Sequence, residues 1–549
     1  MNTAIQAAPT AAPKASTDFD AIVIGAGFAG MYALKKLRDD LGLSVRVFEA
    51  GTGVGGTWYW NRYPGARVDS QAYIYQYWFS DELLNEWNWS ERFPAQEETE
   101  RYLNHVADRF NLREDIQFGT RVTGTAYDET TQRWTVTIDT GETFTAQFLM
   151  MGTGGLSAPL TPPFAGHETF KGQVIHTATW PKEGIDLRGK RVGVVGTGAT
   201  GIQVIQSIAD QVGHLTVFQR TANYTIPMRN PKYDDAKRTE LRAAYPALKE
   251  RVQSTYAGFN YDFTDLKFDD LTPQERENMM QKLWDDGSLN FWIGGFIEVF
   301  FDEKVNAEFS EFVRKRIRAR IKDAKVAEKL VPKDHGFGTR RVPLETGYYE
   351  TFNRDNVELV DVKATPIECM TEKGIKTSAG EYELDVLIFA TGFDAGTGAL
   401  SRIDIRGKKG VSLKEDWATH GIHTTMGLQV HGYPNMFMTM APFSPAAALC
   451  NVPTCLQQQV DWVADCIRFV RDQGRSSIEP SAETEARWLQ HHNEVARDTL
   501  LFKTNDSWYT RANLPGKERQ LLPYTGGAST YRDKCNEVKA KGYEGFITT

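Results

Sequence analysis

Two glycine-rich hexapeptides, GAGFAG at 25–30 and GTGATG at 196–201, have the spacing that lets a backbone close on a pyrophosphate. In the first, Gly25 suits the tight turn, Gly27 lets the chain approach the phosphates, and Gly30 lets the next helix pack closely. The free N–H groups at that helix start then face the anion. The apolar run DAIVI at 20–24 leads into the turn, and LSVRVFEA at 43–50 brings Glu49 to where it accepts hydrogen bonds from ribose hydroxyls. The second turn places Gly196, Gly198 and Gly201 in the same way after RVGVV at 191–195. Its closing strand, LTVFQR at 215–220, has no acid at its end; Gln219, Arg220 and Thr221 stand there. A guanidinium pairs with a 2′-phosphate that a carboxylate would repel, so the second site is expected to prefer NADP to NAD.

Two dinucleotide sites in one chain imply two nucleotides exchanging electrons, with FAD held and NADPH cycling. The five cysteines, Cys369, Cys450, Cys455, Cys466 and Cys535, form no CxxC pair, which argues against a disulfide reductase. They are expected to be buried thiols in a reducing compartment, and none has zinc-ligand spacing, so no metal is expected.

A longer pattern narrows the chemistry. FKGQVIHTATWP at 170–181 carries Phe170, Gly172, His176, Trp180 and Pro181 in the order F-x-G-x-x-x-H-x-x-x-W-P. A second motif, G-G-x-W-x-x-x-x-Y-P-G-x-x-x-D, is matched by Gly55, Gly56, Trp58, Tyr63, Pro64, Gly65 and Asp69. Through both motifs the chain, from about residue 18 to its end, resembles the type I Baeyer–Villiger monooxygenases. SWYTRANLPGK at 507–517 is nearer to the phenylacetone and steroid enzymes than to the cyclohexanone ones.

The resemblance implies conversion of ketones to esters or lactones with NADPH and O2. The implied route is a peroxyflavin stabilised by Arg341, from HGFGTRRVPLETGYYETFNRDN at 335–356, with Asp69 holding the guanidinium. It also assigns Gly56, Thr57, Trp58, Thr197, Thr221 and Thr391 to cofactor binding. Arg340 stands where relatives have a lysine for the 2′-phosphate, and Trp508 where they have a tryptophan on the NADP ribose. His176 takes a structural role in joining domains. Arg511 replaces a glycine of near relatives. In APFSPAAAL at 441–449, Phe443, Ala446, Ala447 and Leu449 are expected to line the substrate pocket, Phe443 replacing a glycine. An amine or sulfide oxygenase would use the same nucleotide sites, as would a non-catalytic redox sensor.

These residues need an α/β scaffold of two Rossmann-like domains. QRWTVTID at 132–139 alternates like a strand. GETFTAQFLMM at 141–151 and ELDVLIFATG at 383–392 read as strands returning to a sheet and leaving through small-residue turns. We expect a disordered tail at 1–17, an FAD domain from 18–152 and 390–549, an NADP domain from 153–229 and 333–389, and a solvated helical insertion at 230–332. The 549 residues suit that division. A net charge of −8 argues against nucleic acid, and no apolar run approaches ~18 residues, against a membrane span. A cytoplasmic monomer is expected.

Overall fold

The structure is a computed structural model describing residues 18–446, 449–504, 507–514 and 516–549; the tail at 1–17 and Ala447 lie outside them. Each glycine turn hangs from its own sheet. The first sheet runs through Asp404–Arg406, Val122–Asp128, Arg133–Ile138, Thr143–Met151, Phe19–Ile24, Val45–Phe48 and Ile116–Gln117, and Met436–Met438 also pairs with Thr143–Met151. Phe19–Ile24 lies between two parallel neighbours, with Ala21 opposite both Val45 and Phe148. A strand covered on both faces must be apolar along its length, and Ala21 to Ile24 are all buried. That strand ends on Gly25, and the helix Phe28–Lys35 buries Met31 and Leu34 against the sheet. The C-terminal part of the chain returns to this body through the helix Val452–Asp472.

The second sheet is wholly parallel, in the order Val357–Asp361, His214–Gln219, Arg191–Val195, Val386–Phe389, Gln173–His176. The segment 383–392 thus enters it at Val386–Phe389, where all four residues are buried.

The 230–332 region is helical, with Asp235–Ser254, Pro273–Asp286, Glu303–Arg320 and Ala324–Leu330 as its main helices. Pro273–Asp286 opens on a capping box between Thr272 and Glu275 and stops at Gly287 in the left-handed conformation. Only one face of the region is solvated. Phe291, Trp292, Phe296, Phe309 and Phe312 are buried in a core shared with Ile226, Phe337 and Leu344 of the second body.

Cys450 and Cys455 are joined in a disulfide, whereas Cys369, Cys466 and Cys535 are free. The expectation of separate thiols is corrected here. The turn into Val452–Asp472 brings the two Cα atoms to 6.6 Å, inside bridging range. A spacing of five residues does not by itself announce that proximity. Among the described residues no helix is long and apolar enough to cross a membrane, and no group of three potential metal ligands occurs.

Candidate active site

Both turns have the steric form that their glycines require. Gly25 has φ +100°, and a Cβ there would stand 2.6 Å from the Gly152 carbonyl oxygen. A Cβ on Gly30 would stand 1.7 Å from the Gly25 carbonyl oxygen, so helix and turn touch. Gly56 of the second motif lies against Gly27, with only 2.8 Å between its notional Cβ and the Gly27 Cα. The two motifs therefore form one bare backbone cradle. Glu49 is buried at its rim, its carboxylate accepting the Ala26 and Gly51 N–H groups, each at 2.7 Å. A carboxylate has about four lone-pair sites, so ribose hydroxyls still find acceptors. Thr57 is exposed at the start of the helical turn Thr57–Trp60, and Trp58 donates its indole N–H to Tyr75 Oη at 3.2 Å.

The second turn is more open. Gly196 has φ +108° and lies 2.5 Å, by its notional Cβ, from the Ala390 carbonyl oxygen, but a Cβ on Gly198 would meet nothing within 4 Å. That space beside a helix N-terminus fits a phosphate. Thr197 Oγ1 donates to the Thr221 carbonyl at 2.8 Å. Arg220 is exposed, and its side chain makes no hydrogen bond or ion pair among the described residues. Arg340 is half-buried next to Arg341.

Asp69 and Arg341 come from different bodies and meet. Arg341 Nη2 donates to Asp69 Oδ2 at 3.3 Å, and the Leu344 N–H reaches Asp69 Oδ1 at 3.4 Å. The side chains are 10% and 22% exposed, for Asp69 and Arg341 respectively. Burial raises the Asp69 pKa above the ordinary carboxylate value, opposed by the Arg341 charge and the Leu344 N–H. A buried pair of this kind is weak evidence for stability; what it fixes is the direction of the guanidinium. The loop carrying Asp69 is pressed onto the second body's helix Ala199–Ile208. There Tyr63 Oη donates to Gln203 Oε1 at 2.8 Å, and Gln203 Nε2 donates to the Arg67 carbonyl at 3.1 Å. A Cβ on Gly65 would fall 2.6 Å from the Gln203 carbonyl oxygen, so this motif glycine lets the two bodies touch.

Trp292 escaped the sequence reading. Its ring lies under Arg341, 5.6 Å from Cζ to centroid, within cation–π range. It also fills the space beside Gly338, whose notional Cβ would stand 2.3 Å from the indole nitrogen. The helical region thus supports the arginine segment from below. A single tryptophan in an apolar stretch carries no local sign of that role. Gln203 was missed for the same reason.

The other assigned residues fall in several places. Gly172 has no room for a side chain between the Phe170 ring, 2.4 Å from its notional Cβ, and the Asp385 carbonyl, at 2.6 Å. His176 Nδ1 accepts the Ala178 N–H at 3.1 Å, and Nε2 lies 3.5 Å from Thr391 Oγ1, which bonds to the Leu160 carbonyl. Burial lowers the His176 pKa, favouring the neutral ring. Trp180 is buried in the second core, and the Pro181 carbonyl closes a turn with the Gly184 N–H. Trp508 is half-buried with its ring edge-on to Tyr509 at 4.4 Å.

Phe443 departs from its expected place on a pocket wall. It is fully enclosed at φ +71°, 4.2 Å from the His492 ring, in the core of the first sheet. Its N–H is drawn inward by the Leu522 carbonyl at 2.7 Å. Ala446 is half-buried, and Leu449 packs in the second core.

Known proteins are similar to this chain over nearly all of its length. The family model described as flavin-binding monooxygenase-like matches residues 20–230. The chain is 53% identical over 532 residues to acetone monooxygenase (methyl acetate-forming) of Gordonia sp. (strain TY-5), covering 97% of this chain and 99% of that protein. OTEMO solved with FAD and NADP superposes with a TM-score of 0.93 at 42% identity, covering 97% of this chain and all of the other. Oxidized steroid monooxygenase bound to NADP does so at 0.92 and 44%, covering 97% and 99%.

Proposed function

The chain belongs to the type I Baeyer–Villiger monooxygenases, and on that footing we propose that it converts a ketone into an ester or lactone with NADPH and O2, at a centre built on Arg341 and Asp69. The observation that carries the centre is the ion pair itself, drawn from two bodies and enclosed beside both glycine turns' domains. FAD suits the cradle of Gly25, Gly27, Gly30, Gly56 and Glu49, and NADP the open turn with Arg220. The flavin, once reduced by NADPH, supplies activated dioxygen.

The chain's own residues do the rest. As the ketone carbonyl is attacked, negative charge grows on its oxygen, and a guanidinium already in place stabilises it without reorganisation. Arginine keeps its charge in a partly dry site where lysine would lose it. Asp69 aims the guanidinium and Trp292 supports its face. A monomer is the proposed working unit, and cytoplasmic placement goes with the NADPH supply. The identity with acetone monooxygenase supports small aliphatic ketones as substrates.

The test is Arg341→Ala in the FAD-loaded enzyme. Ester formation is expected to fall by roughly 100- to 1,000-fold, as when one oxyanion donor is removed, while NADPH still bleaches the flavin. Ester formation near the parent rate would overturn the assignment of the centre. Product analysis over a ketone panel decides the substrate class.

A further inference from the structure

One enclosed cation has no hydrogen-bond or ion-pair partner among the described residues. Arg511 follows the turn Trp508–Thr510 in the left-handed conformation, φ 60°, where glycine is the easier occupant. It is 8% exposed, and its guanidinium makes no hydrogen bond or ion pair among the described residues. Burial lowers its pKa, opposed by the charges of Asp394 and Glu518, neither of which bonds to it. Arginine remains ionised all the same. Its Nε is buried without a hydrogen-bond partner among the described residues, and a charge this enclosed favours an anionic partner.

The surroundings indicate which anion. Asp394 lies on the segment that links the two glycine turns. Ala390, at its start, packs against Gly196 and Gly201. Further along, the Asp394 N–H donates to the Ala158 carbonyl and the Gly396 N–H to that of Gly155. Gly152, just before them, lies against Gly25 of the first turn. The arginine's own segment is tied to the same crossing. Leu522 donates its N–H to the Tyr509 carbonyl at 2.7 Å, and its side chain is what a Cβ on Gly396 would meet at 3.0 Å.

We propose that Arg511 binds a phosphate group of a dinucleotide at the crossing between the two nucleotide turns. The proposal rests on the two-dinucleotide reading above. A guanidinium grips a phosphate with two parallel N–H···O bonds. A non-glycine residue held at positive φ together with an unpaired charge is the kind of local cost that persists where a ligand completes a site. FAD and NADP⁺ both carry this chemistry, and two separate measurements tell them apart.

FAD-loaded wild type, Arg511→Gly and Arg511→Lys are compared. NADP⁺ affinity is read by titration of protein fluorescence, and FAD affinity by the flavin freed on dilution and ultrafiltration. Arg511→Gly is expected to weaken one of the two nucleotides about tenfold or more, with Arg511→Lys recovering part of the loss because it keeps the charge without the fork. Glycine suits the backbone at this position, so the variant folds and its thermal midpoint is not lowered. If both affinities match the wild type, Arg511 is a structural charge and the proposal is overturned. Wild type that binds neither nucleotide would sink the two-dinucleotide reading, and this proposal with it.

Discussion

The two glycine turns share a spacing and differ in enclosure. Around the first, Gly27 and Gly56 touch, and Glu49 is buried with its carboxylate engaged by two backbone N–H groups. Around the second, Gly198 faces open space and Arg220 lies exposed without a partner among the described residues. A closed cradle suits a nucleotide that stays; an open turn with an exposed cation suits one that comes and goes. On the proposed reading one motif serves two kinetic roles, and what distinguishes the two turns is the packing around the glycines.

The sharpest way to break this comparison is to add one methyl group at or beside the middle glycine of each turn. Gly56→Ala drives a Cβ to 2.8 Å from the Gly27 Cα at φ +53°, so its cost reaches at least the upper end of the ~1–3 kcal/mol of ordinary overpacking. Protein that has lost its flavin is expected. Gly198→Ala meets no protein atom within 4 Å and should stay yellow, with weakened NADP⁺ binding. Flavin absorbance per chain and an NADP⁺ titration check both, and a Gly198→Ala protein that loses flavin while Gly56→Ala keeps it would reverse the comparison.

Phe443→Gly probes how solid the closed side is. Removing the enclosed ring should destabilise by ~2–4 kcal/mol, the loss of a buried Phe offset slightly by glycine at positive φ. Denaturant unfolding measures it. Unchanged stability with a broader ketone range would return Phe443 to the pocket wall.

On the open side the effect is on affinity and not on folding. Arg220→Ala should weaken NADPH by roughly 10- to 100-fold relative to NADH, with an unchanged thermal midpoint. Equal losses for both nucleotides would remove the 2′-phosphate role.

The smallest effect lies where the two sides meet. Asp69 has a raised pKa, so it takes up its proton at a higher pH than a free aspartate, ~3.9. As pH falls through that value, Arg341 loses its anchor and ketone oxygenation declines. Folding runs the other way, because a carboxyl with a raised folded pKa binds its proton more tightly when folded and stabilises the protein toward acid. A pH–rate profile that loses this acid limb in Asp69→Asn supports the assignment; an identical limb in the variant removes it.

Much of this is legible in the amino-acid sequence itself. Strand, glycine turn and helix are adjacent in the chain, and so are the strand ends that carry Glu49 and Arg220. Local periodicity and turn chemistry are enough to place them. The long motifs that end on Asp69 and Pro181 identified the family from the same kind of local pattern. What tertiary structure alone decided is every feature made by segments that meet across the fold. Trp292 under Arg341, Gln203 under Tyr63, the Cys450–Cys455 bond, the enclosure of Phe443 and the burial of Arg511 without a partner among the described residues are of this kind. Side-chain type and spacing set which face of an element is apolar. Which distant side chain arrives against that face depends on how the sheets, helices and loops pack together, and no local pattern in the chain encodes that meeting.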